Sequence, residues 1–242
     1  RVAGPKAANL GELKHHFPQA VTDGLVIPFG LFRQLLEQPI EPGGITAFRW
    51  MQDQYKIIRR LKGDPQRKDQ ITQNFLEKIR KWIVQADPGE AFRNQLRAAM
   101  QDTFGPDGTY GVFVRSDTNV EDLPGFTGAG LNLTLPNVTG FDAIVAGIPR
   151  VWASPFTARA FAWRQSHMES PQHVYTSILL LKSVASDKSG VLVTQDLDTG
   201  DREVLSVAVN EGVGGAVAGQ TAEELRYHVK SGRLRLLAHA TE

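Results

Sequence analysis

One arginine stands between a β-rich apolar run and a glycine-rich stretch, and its position suits the binding of an anion. The run 111–114 predicts a short buried strand, which puts Arg115 at the carboxyl end of that strand, where open α/β sheets tend to bind ligands. The glycines that follow, Gly128 among them, allow backbone N–H groups to come close to a bound group. Because a guanidinium stays charged and binds bidentately, Arg115 indicates a phosphate contact. An interdomain salt bridge beside a glycine-rich hairpin is the alternative that these residues leave open.

A lysine at the start of a predicted helix is the second candidate for anion binding. The turn at Gly4-Pro5 predicts a helix over about 6–16, so Lys6 lies in the first turn, beside backbone N–H groups that favour an anion. An ordinary exposed lysine is the alternative interpretation. The helix is also expected to have one apolar face, which consists of Ala7, Leu10 and Leu13.

Oxygen-bearing side chains follow an alternating strand nearer the C-terminus. The alternation over 204–209 predicts a strand that leads into the glycine-rich segment 210–215. Asn210 and Glu211 head this segment, and their oxygens suit a magnesium–nucleotide site, since Mg²⁺ keeps few protein ligands and takes the others from phosphate and water. The alternative is a glycine-rich turn in which Glu211 caps the next segment.

Composition excludes several classes of protein and site. The chain has 242 residues, a formal net charge of +1 and no cysteine. The lack of cysteine excludes disulfides, thiolate metal sites and a cysteine nucleophile, and the balanced charge argues against nucleic acid or an anionic membrane as a partner. No run suggests a transmembrane helix and the N-terminus lacks the apolar core of a signal peptide, so a soluble cytoplasmic protein is expected. Because the first residue is not methionine, we expect the chain to be a piece of a longer one.

The remaining periodicities predict an α/β protein of the α+β type. Residues 38–104 show helical spacing without a clear strand and are interpreted as a helical insertion. The region 141–165 is also predicted to be helical. Two strands, 174–181 and 190–194, are predicted to pair as an antiparallel hairpin, and a further hairpin is predicted over 225–238.

Five blocks of sequence carry a family resemblance. They are GPKAANLGEL at 4–13, VRSDTNVEDLPGFTGAG at 114–130, VWASPFTARAFAWR at 151–164, SDKSGVLVTQDLDTGDR at 186–202 and GVGGAVAG at 212–219. Together they resemble the ATP-binding domain of the phosphoenolpyruvate synthase and pyruvate phosphate dikinase family. The resemblance implies an ATP-grasp-like fold of two lobes with a mixed or antiparallel sheet. It also implies that 1–242 form a single domain, in which 105–242 are the main nucleotide-binding lobe and 38–104 the helical insertion.

The resemblance assigns roles to particular residues. It implies that Lys6 and Arg115 hold the phosphates of ATP and act as the catalytic residues. Mg²⁺, which bridges the phosphates in the family, is expected at Asn210 and Glu211. The phosphoryl group would then pass to a histidine on a separate phosphohistidine carrier domain and onward to pyruvate. Further nucleotide contacts are implied for Gly128, Lys182, Gln195, Gly212 and Gly214.

Departures from the family's blocks leave the function open between two classes. The acidic metal ligand of the family falls on Ala208, the second serine of its VRSS motif is Asp117, the glutamate of its glycine loop is Gly215 and a glutamine of its adenine segment is Leu181. A noncatalytic module that binds a nucleotide or a partner is therefore the alternative function. The sequence of residues 119–138 also resembles glucan water dikinases. A glucan-like acceptor is therefore an alternative to pyruvate.

Overall fold

The polypeptide divides into two units, Arg1–Ser183 and Val184–Glu242. The computed structural model describes residues 2–61, 63–119, 132–168, 170, 172–213 and 222–239. Every helix of these described residues belongs to the first unit, and each unit contains one antiparallel sheet. The predicted α+β class is therefore confirmed. The assignment of a single domain with its main lobe at 105–242 stays a prediction.

The helices of the first unit begin at residues that suit a helix start. The Thr46 hydroxyl accepts a hydrogen bond from the Arg49 N–H at 3.1 Å, and the Asp64 carboxylate accepts one from the Arg67 N–H at 3.0 Å. The described helices are α1 (Pro5–His16), α2 (Phe29–Leu35), α3 (Ala47–Arg60), α4 (Pro65–Gln85), α5 (Glu90–Phe104), α6 (Phe141–Ala153) and α7 (Ala158–His167). Helices α3 to α5 confirm the helical character predicted for 38–104. In the part of the chain that the structure describes, no helix combines the length and apolar character needed to cross a membrane.

A four-stranded antiparallel sheet in the order β1-β4-β2-β3 lies at the centre of the first unit. Its strands are β1 (Gly24–Ile27), β2 (Gly111–Thr118), β3 (Thr134–Thr139) and β4 (Thr176–Lys182). Val112 and Val114 of β2 share one face with Leu180 of β4, and all three are fully buried. Helix α6 covers this face, with Gly147 close to the side chains of Leu135 and Val114. The hydrophobic core around Val112, Val114 and Leu180 therefore lies on the α6 side of β2. Residues 113, 115 and 117 of β2 lie on the opposite face of the sheet.

The second unit contains a four-stranded antiparallel sheet whose strands are adjacent in chain order. They are β5 (Lys188–Val193), β6 (Val204–Glu211), β7 (Glu223–His228) and β8 (Leu234–Ala238). The turn before β6 is ordered by Asp196, whose carboxylate accepts hydrogen bonds from the N–H groups of Asp198 and Thr199, each at 2.8 Å. Gly200 completes the turn with a φ of 74°, which glycine adopts without strain. The predicted hairpin over 225–238 is confirmed by the pairing of β7 with β8.

The predicted pairing of 174–181 with 190–194 is wrong. Strand β4 is paired with β1 on one edge and with β2 on the other, whereas β5 pairs with β6. A strand has only two edges, so β4 has no edge left for β5. The two strands belong to different units even though only a short turn separates them in sequence.

The apolar face expected on α1 is not buried. No residue of this helix is buried, and the side chain of Leu13 is 47% exposed. Apolar spacing alone therefore does not explain why α1 is attached to the sheet. The contacts that attach it are polar and lie at its N-terminus.

Candidate functional site

Arg115 lies within strand β2 and not at its carboxyl end, so that part of the prediction is wrong. The strand continues to Thr118 because β4 pairs with it over residues 112–118, with Arg115 opposite Leu179, whereas its pairing with β3 ends at Arg115, opposite Thr134. Strand alternation puts Arg115 on the face opposite Val114, away from the core that α6 covers. The residue is half-buried there. Arg115 therefore lies on the face of the first sheet that also carries Asp117 and the buried Leu179.

Helix α1 is attached to this same face through the carboxylate of Asp117. Oδ1 accepts a hydrogen bond from the backbone N–H of Lys6 at 3.0 Å, and Oδ2 accepts one from the backbone N–H of Ala7 at 2.9 Å. These N–H groups belong to the first turn of the helix, where no carbonyl of the helix itself can accept from them. Asp117 is fully buried, so its carboxylate caps α1 from a neighbouring strand. Two N–H groups of this helix start thus donate to the protein's own carboxylate, and the predicted phosphate contact of Lys6 stays a prediction.

The side chain of Lys6 returns to strand β2. Its Nζ donates a hydrogen bond to the carbonyl oxygen of Ser116 at 3.2 Å. Ser116 follows Arg115 directly, so the structure brings the two predicted phosphate-binding cations to one short segment of β2. Their roles in binding and catalysis stay predictions.

A glycine is required where the chain enters α1. A Cβ added at Gly4 would lie 2.2 Å from Oδ1 of Asp117, which is far inside van der Waals contact. The Gly4 N–H donates to the Ser177 hydroxyl at 3.1 Å, and that hydroxyl donates to the Asp117 carbonyl oxygen at 2.7 Å. Ser177 lies directly opposite Asp117 in the β2–β4 pair. The entry to α1 is therefore held against two adjacent strands.

Lys182 lies on the other face of the first sheet. It is paired directly opposite Val112, and directly opposed residues in an antiparallel pair share a face. That face is the one that α6 covers, whereas Arg115 and Asp117 lie on the opposite one. The structure therefore does not bring Lys182 together with Lys6 and Arg115, and the predicted nucleotide contact of Lys182 stays a prediction.

In the second unit, Asn210 and Glu211 point to opposite faces of β6. Asn210 is 6% exposed, whereas Glu211, the next residue and the last of the strand, is exposed. Gly212 then adopts a φ of 69° and donates its N–H to the carbonyl oxygen of Asp187 at 2.7 Å. The strand therefore does not present Asn210 and Glu211 as a convergent pair. The assignment of both to Mg²⁺ stays a prediction.

The remaining predicted nucleotide contacts are a glutamine and two glycines. Gln195 follows β5 with an exposed side chain, and its carbonyl oxygen accepts a hydrogen bond from the Ser206 hydroxyl at 2.9 Å. This contact of Gln195 is made by its main chain. Gly128 and Gly214 lie outside the described residues.

A carboxylate that sequence reasoning missed lies directly across from Ala208. Strand β7 pairs antiparallel with β6 and puts Glu224 opposite Ala208. Directly opposed residues share a face, with Cβ atoms about 4.5–5.5 Å apart, so Glu224 lies on the face of the sheet that carries Asn210. Only the pairing register reveals this neighbour, because Ala208 and Glu224 are distant in the sequence. An oxygen donor is thus present beside the position that lacks the family's acid.

Comparison with known proteins decides the family. The sequence profile described as "Pyruvate phosphate dikinase, AMP/ATP-binding domain" matches residues 1–241. The chain belongs to this family. The resemblance found in the five sequence blocks is therefore confirmed, and with it the expectation of an ATP-binding domain of phosphotransferase enzymes.

Curated relatives of this AMP/ATP-binding domain are longer proteins with two kinds of name. A "Rifampicin phosphotransferase" of Bacillus subtilis (strain 168) is 30% identical over 234 residues, which cover 96% of this chain and 25% of the relative. A "Probable phosphoenolpyruvate synthase" of Pyrococcus abyssi is 31% identical over 205 residues, which cover 84% of this chain and 24% of the relative. A "Phosphoenolpyruvate synthase" of Pyrococcus furiosus is 30% identical over 205 residues, with the same two shares. The chain thus spans about a quarter of the length of these relatives.

The described residues can be tested for their fit to the ligands of an AMP/ATP-binding domain. Lys6 and Arg115 lie beside one strand segment and offer two cations, which suits the phosphates of a nucleotide. For a metal, no three or more His, Asp and Glu side chains of the described ranges are grouped so that they could hold an ion. Mg²⁺ bound with a nucleotide needs fewer protein ligands than that, because phosphate and water complete its octahedron. Asn210 and Glu224 supply oxygen donors of the kind that it takes.

Proposed function

We propose that the chain is the Mg·ATP-binding module of a phosphotransferase, which passes a phosphoryl group to a histidine on a separate domain. The observation that carries this proposal is the attachment of Lys6 to strand β2 beside Arg115, through the buried carboxylate of Asp117. Phosphoryl transfer depends mainly on positioning and on neutralisation of charge, so two cations held by a packed scaffold are the groups that it needs.

The two cations suit different tasks at the phosphates. The guanidinium of Arg115 is planar and can bind two phosphate oxygens at once, which would orient the triphosphate. The ammonium of Lys6 is a compact charge on a flexible stem and would follow the phosphate whose charge changes during transfer. Together they would act as the catalytic residues by positioning and by electrostatic stabilisation.

The proposed metal ligands are all residues of the sheet formed by β5 to β8. We propose Asn210 and Glu224 as its protein ligands, with Glu211 as the further candidate that the sequence predicts. Bound Mg²⁺ would neutralise phosphate charge during transfer. In this proposal Glu224 takes over the task of the acid that Ala208 replaces.

The carrier domain and the final acceptor are also proposals. The relatives are about four times longer than the chain, so a phosphohistidine carrier domain is proposed in the same parent chain or in a separate protein. The names of these relatives point to two acceptor classes, pyruvate and a rifampicin-like small molecule. A glucan-like acceptor, suggested by the sequence, is the third.

Isothermal titration of the 242-residue chain with Mg·ATP tests this function. Wild type should bind, and Arg115→Ala should weaken binding about tenfold to a hundredfold, because one charge-assisted contact contributes about 1.5–3 kcal/mol. Arg60→Ala, an exposed arginine in the last turn of α3, is the matched control and should bind as wild type does. Equal affinities in wild type and Arg115→Ala would refute the role of Arg115.

The alternative function is a noncatalytic module that binds a nucleotide or a partner. Alanine at 208, on the strand where the family has its metal ligand, is the observation that favours it. The same titration in the presence of a chelator separates the two functions. A catalytic module should lose ATP affinity without Mg²⁺, whereas affinity that does not depend on the metal would support the noncatalytic module.

A further inference from the structure

Asp117 is a fully buried acid in a segment where the family's motif has a serine. Burying a carboxylate is costly unless hydrogen bonds replace the lost water. Here the replacement comes from α1, because Oδ1 and Oδ2 accept from the consecutive N–H groups of Lys6 and Ala7 at 3.0 and 2.9 Å. A serine side chain is shorter and uncharged, and it does not offer two separate oxygens, one in front of each N–H group. The carboxylate therefore makes an attachment between β2 and α1 that a serine would not make.

The same attachment determines where Lys6 stands. Asp117 holds the main chain of Lys6, and the Lys6 ammonium donates to the carbonyl of Ser116 at 3.2 Å. Two successive residues of β2, directly after Arg115, thus contact one residue of α1. Since α1 has no fully buried residue, this polar network is a principal contact between the helix and the strand.

The carboxylate also occupies the anion position of the helix. Two of the N–H groups that a phosphate would find at the start of α1 already donate to Asp117. A Cβ at Gly4 would collide with the same carboxylate, so the entry to the helix has no space for a side chain at this position. Phosphate binding on this face therefore depends on the side chains of Lys6 and Arg115.

We propose that Asp117 is a positioning residue, which holds Lys6 at a defined distance from Arg115 so that both cations reach one polyphosphate. This inference rests on the proposed function, because it assumes that Lys6 contacts the phosphates. A purely structural cap would stabilise α1 equally well but would have no specific effect on the nucleotide. The difference between the two roles can be measured.

A double-mutant cycle on Mg·ATP affinity makes this measurement. Asp117→Asn keeps the shape but loses the charge and one acceptor, and it should weaken binding about tenfold, the scale of one displaced charge-assisted contact. Lys6→Met removes the ammonium and should weaken binding to a similar extent. In the Lys6→Met background, Asp117→Asn should add less than about a twofold loss, because it acts through Lys6. Fully additive losses, or unchanged affinity in Asp117→Asn, would overturn the proposal.

Asp64→Asn is the matched control. Asp64 caps α4 as Asp117 caps α1, with its carboxylate accepting from the Arg67 N–H at 3.0 Å, but it is far from β2 in the sequence and exposed. The control should lower the stability of its helix and leave Mg·ATP affinity unchanged. An equal loss of affinity in both cap variants would show that Asp117 has a general structural effect and would overturn the positioning role.

Two further arms keep the test decisive. If Asp117→Asn fails to fold, Asp117→Ser, which supplies the residue of the family's motif, replaces it in the same cycle with the same expected losses. If wild type does not bind Mg·ATP, the proposed function falls and the positioning role falls with it. If wild type binds and the Asp117 variants bind equally well, only the positioning role is overturned.

Discussion

The two units differ in what they bury. All buried hydrophobic residues in the described part of the chain lie in the first unit, from Ile27 to Leu180. The buried residues among those described in the second unit are Ser206 and Asn210, both polar. Its large apolar side chains include several that are well exposed, such as Leu197 and Leu234 at 63% and 62%. In the described residues, one unit is built around an apolar core, and the other contains a sheet without a buried apolar side chain.

This difference shows which of the candidate binding groups are held by a packed core. The cations Lys6 and Arg115 belong to the unit with the core, where packing restricts the strand and the helix that carry them. The oxygen donors Asn210 and Glu224 belong to a sheet of one layer, whose stability comes from hydrogen bonds and cross-strand pairs. We therefore expect the second unit to open locally more readily than the first. The following changes test this contrast.

The largest expected effect is on the core of the first unit. Phe75 is 1% exposed and makes edge-to-face contacts with Tyr55 and Phe161, with ring centroids 5.4 and 5.9 Å away. Phe75→Ala should lower the free energy of unfolding by about 3–5 kcal/mol, because it leaves a cavity in a packed cluster. Leu234→Ala in the second unit should change it by less than about 0.5 kcal/mol.

Tryptophan fluorescence during urea unfolding measures the effect of Phe75→Ala on the first unit, and amide hydrogen exchange over β7 and β8 measures the effect of Leu234→Ala on the second. All four tryptophans belong to the first unit: Trp50, Trp82, Trp152 and Trp163. Equal losses in Phe75→Ala and Leu234→Ala would contradict the contrast between a packed core and an exposed sheet.

An intermediate effect is expected from a glycine of the second unit. A Cβ at Gly190 would lie 2.4 Å from the carbonyl oxygen of Ala208, so Gly190→Ala must displace the backbone of the β5–β6 pair. The expected cost is about 1–3 kcal/mol. Amide hydrogen exchange over β5 and β6 should accelerate, while tryptophan fluorescence of the first unit stays as in wild type.

Gly30→Ala is the control for this substitution. No atom lies within 4 Å of a Cβ built at Gly30, which is in helix α2. Alanine is the better helix former, so this variant should be stabilised by at most about 1 kcal/mol. Slower or unchanged exchange of β5 and β6 in Gly190→Ala would show that the sheet accepts a side chain there.

The smallest expected effect is a pH dependence of the second unit. Hydrogen bonds from the Thr199 and Asp198 N–H groups, with the Arg226 guanidinium at 3.2 Å, hold the pKa of Asp196 below its ordinary value. An unfolded aspartate titrates near about 3.9, so the ionised side chain stabilises the fold above that pH. This stabilisation is lost as the pH falls through the lower pKa of the folded state.

Acid titration of hydrogen exchange over β6 and β7 checks this dependence. Wild type and Asp196→Asn should differ in stability above about pH 3.9 and converge below the lowered pKa of the folded carboxyl. A constant difference across that range would show that the carboxylate charge does not stabilise the turn.

Local periodicity was enough to predict most elements, because helices and strands depend on neighbouring residues. The helices of 38–104, the strand at Gly111 and the last hairpin were all expected from spacing and turn residues. The hairpin of 174–181 with 190–194 was wrong, because proximity in the sequence does not say which edges of a strand are already paired. The end of β2 was misplaced for the same reason, since pairing with β4 extends the strand past Arg115 to Thr118.

The sequence was enough to select the two cations of the candidate site, but not the carboxylates that lie near the candidate residues. Lys6 and Arg115 were found from residue type and motif, and the structure brings both to one segment of β2. Asp117 had been noted only as a departure from a motif, and its bonds to α1 depend on a contact between residues far apart in the chain. Glu224 was missed because only the β6–β7 register places it opposite Ala208.

The amino-acid sequence by itself was enough to predict the family and the α+β class and to select Lys6 and Arg115 as candidate phosphate contacts. Motifs and periodicity depend on residues that are close together in the chain. Only the tertiary structure decided which face of the sheet each candidate occupies. Lys182 and Arg115 lie on opposite faces of the first sheet, and Asn210 and Glu211 lie on opposite faces of β6. The backbone N–H of Lys6, at the start of α1, donates to the Asp117 carboxylate. These outcomes depend on strand register and on burial, which join residues that the chain order keeps apart.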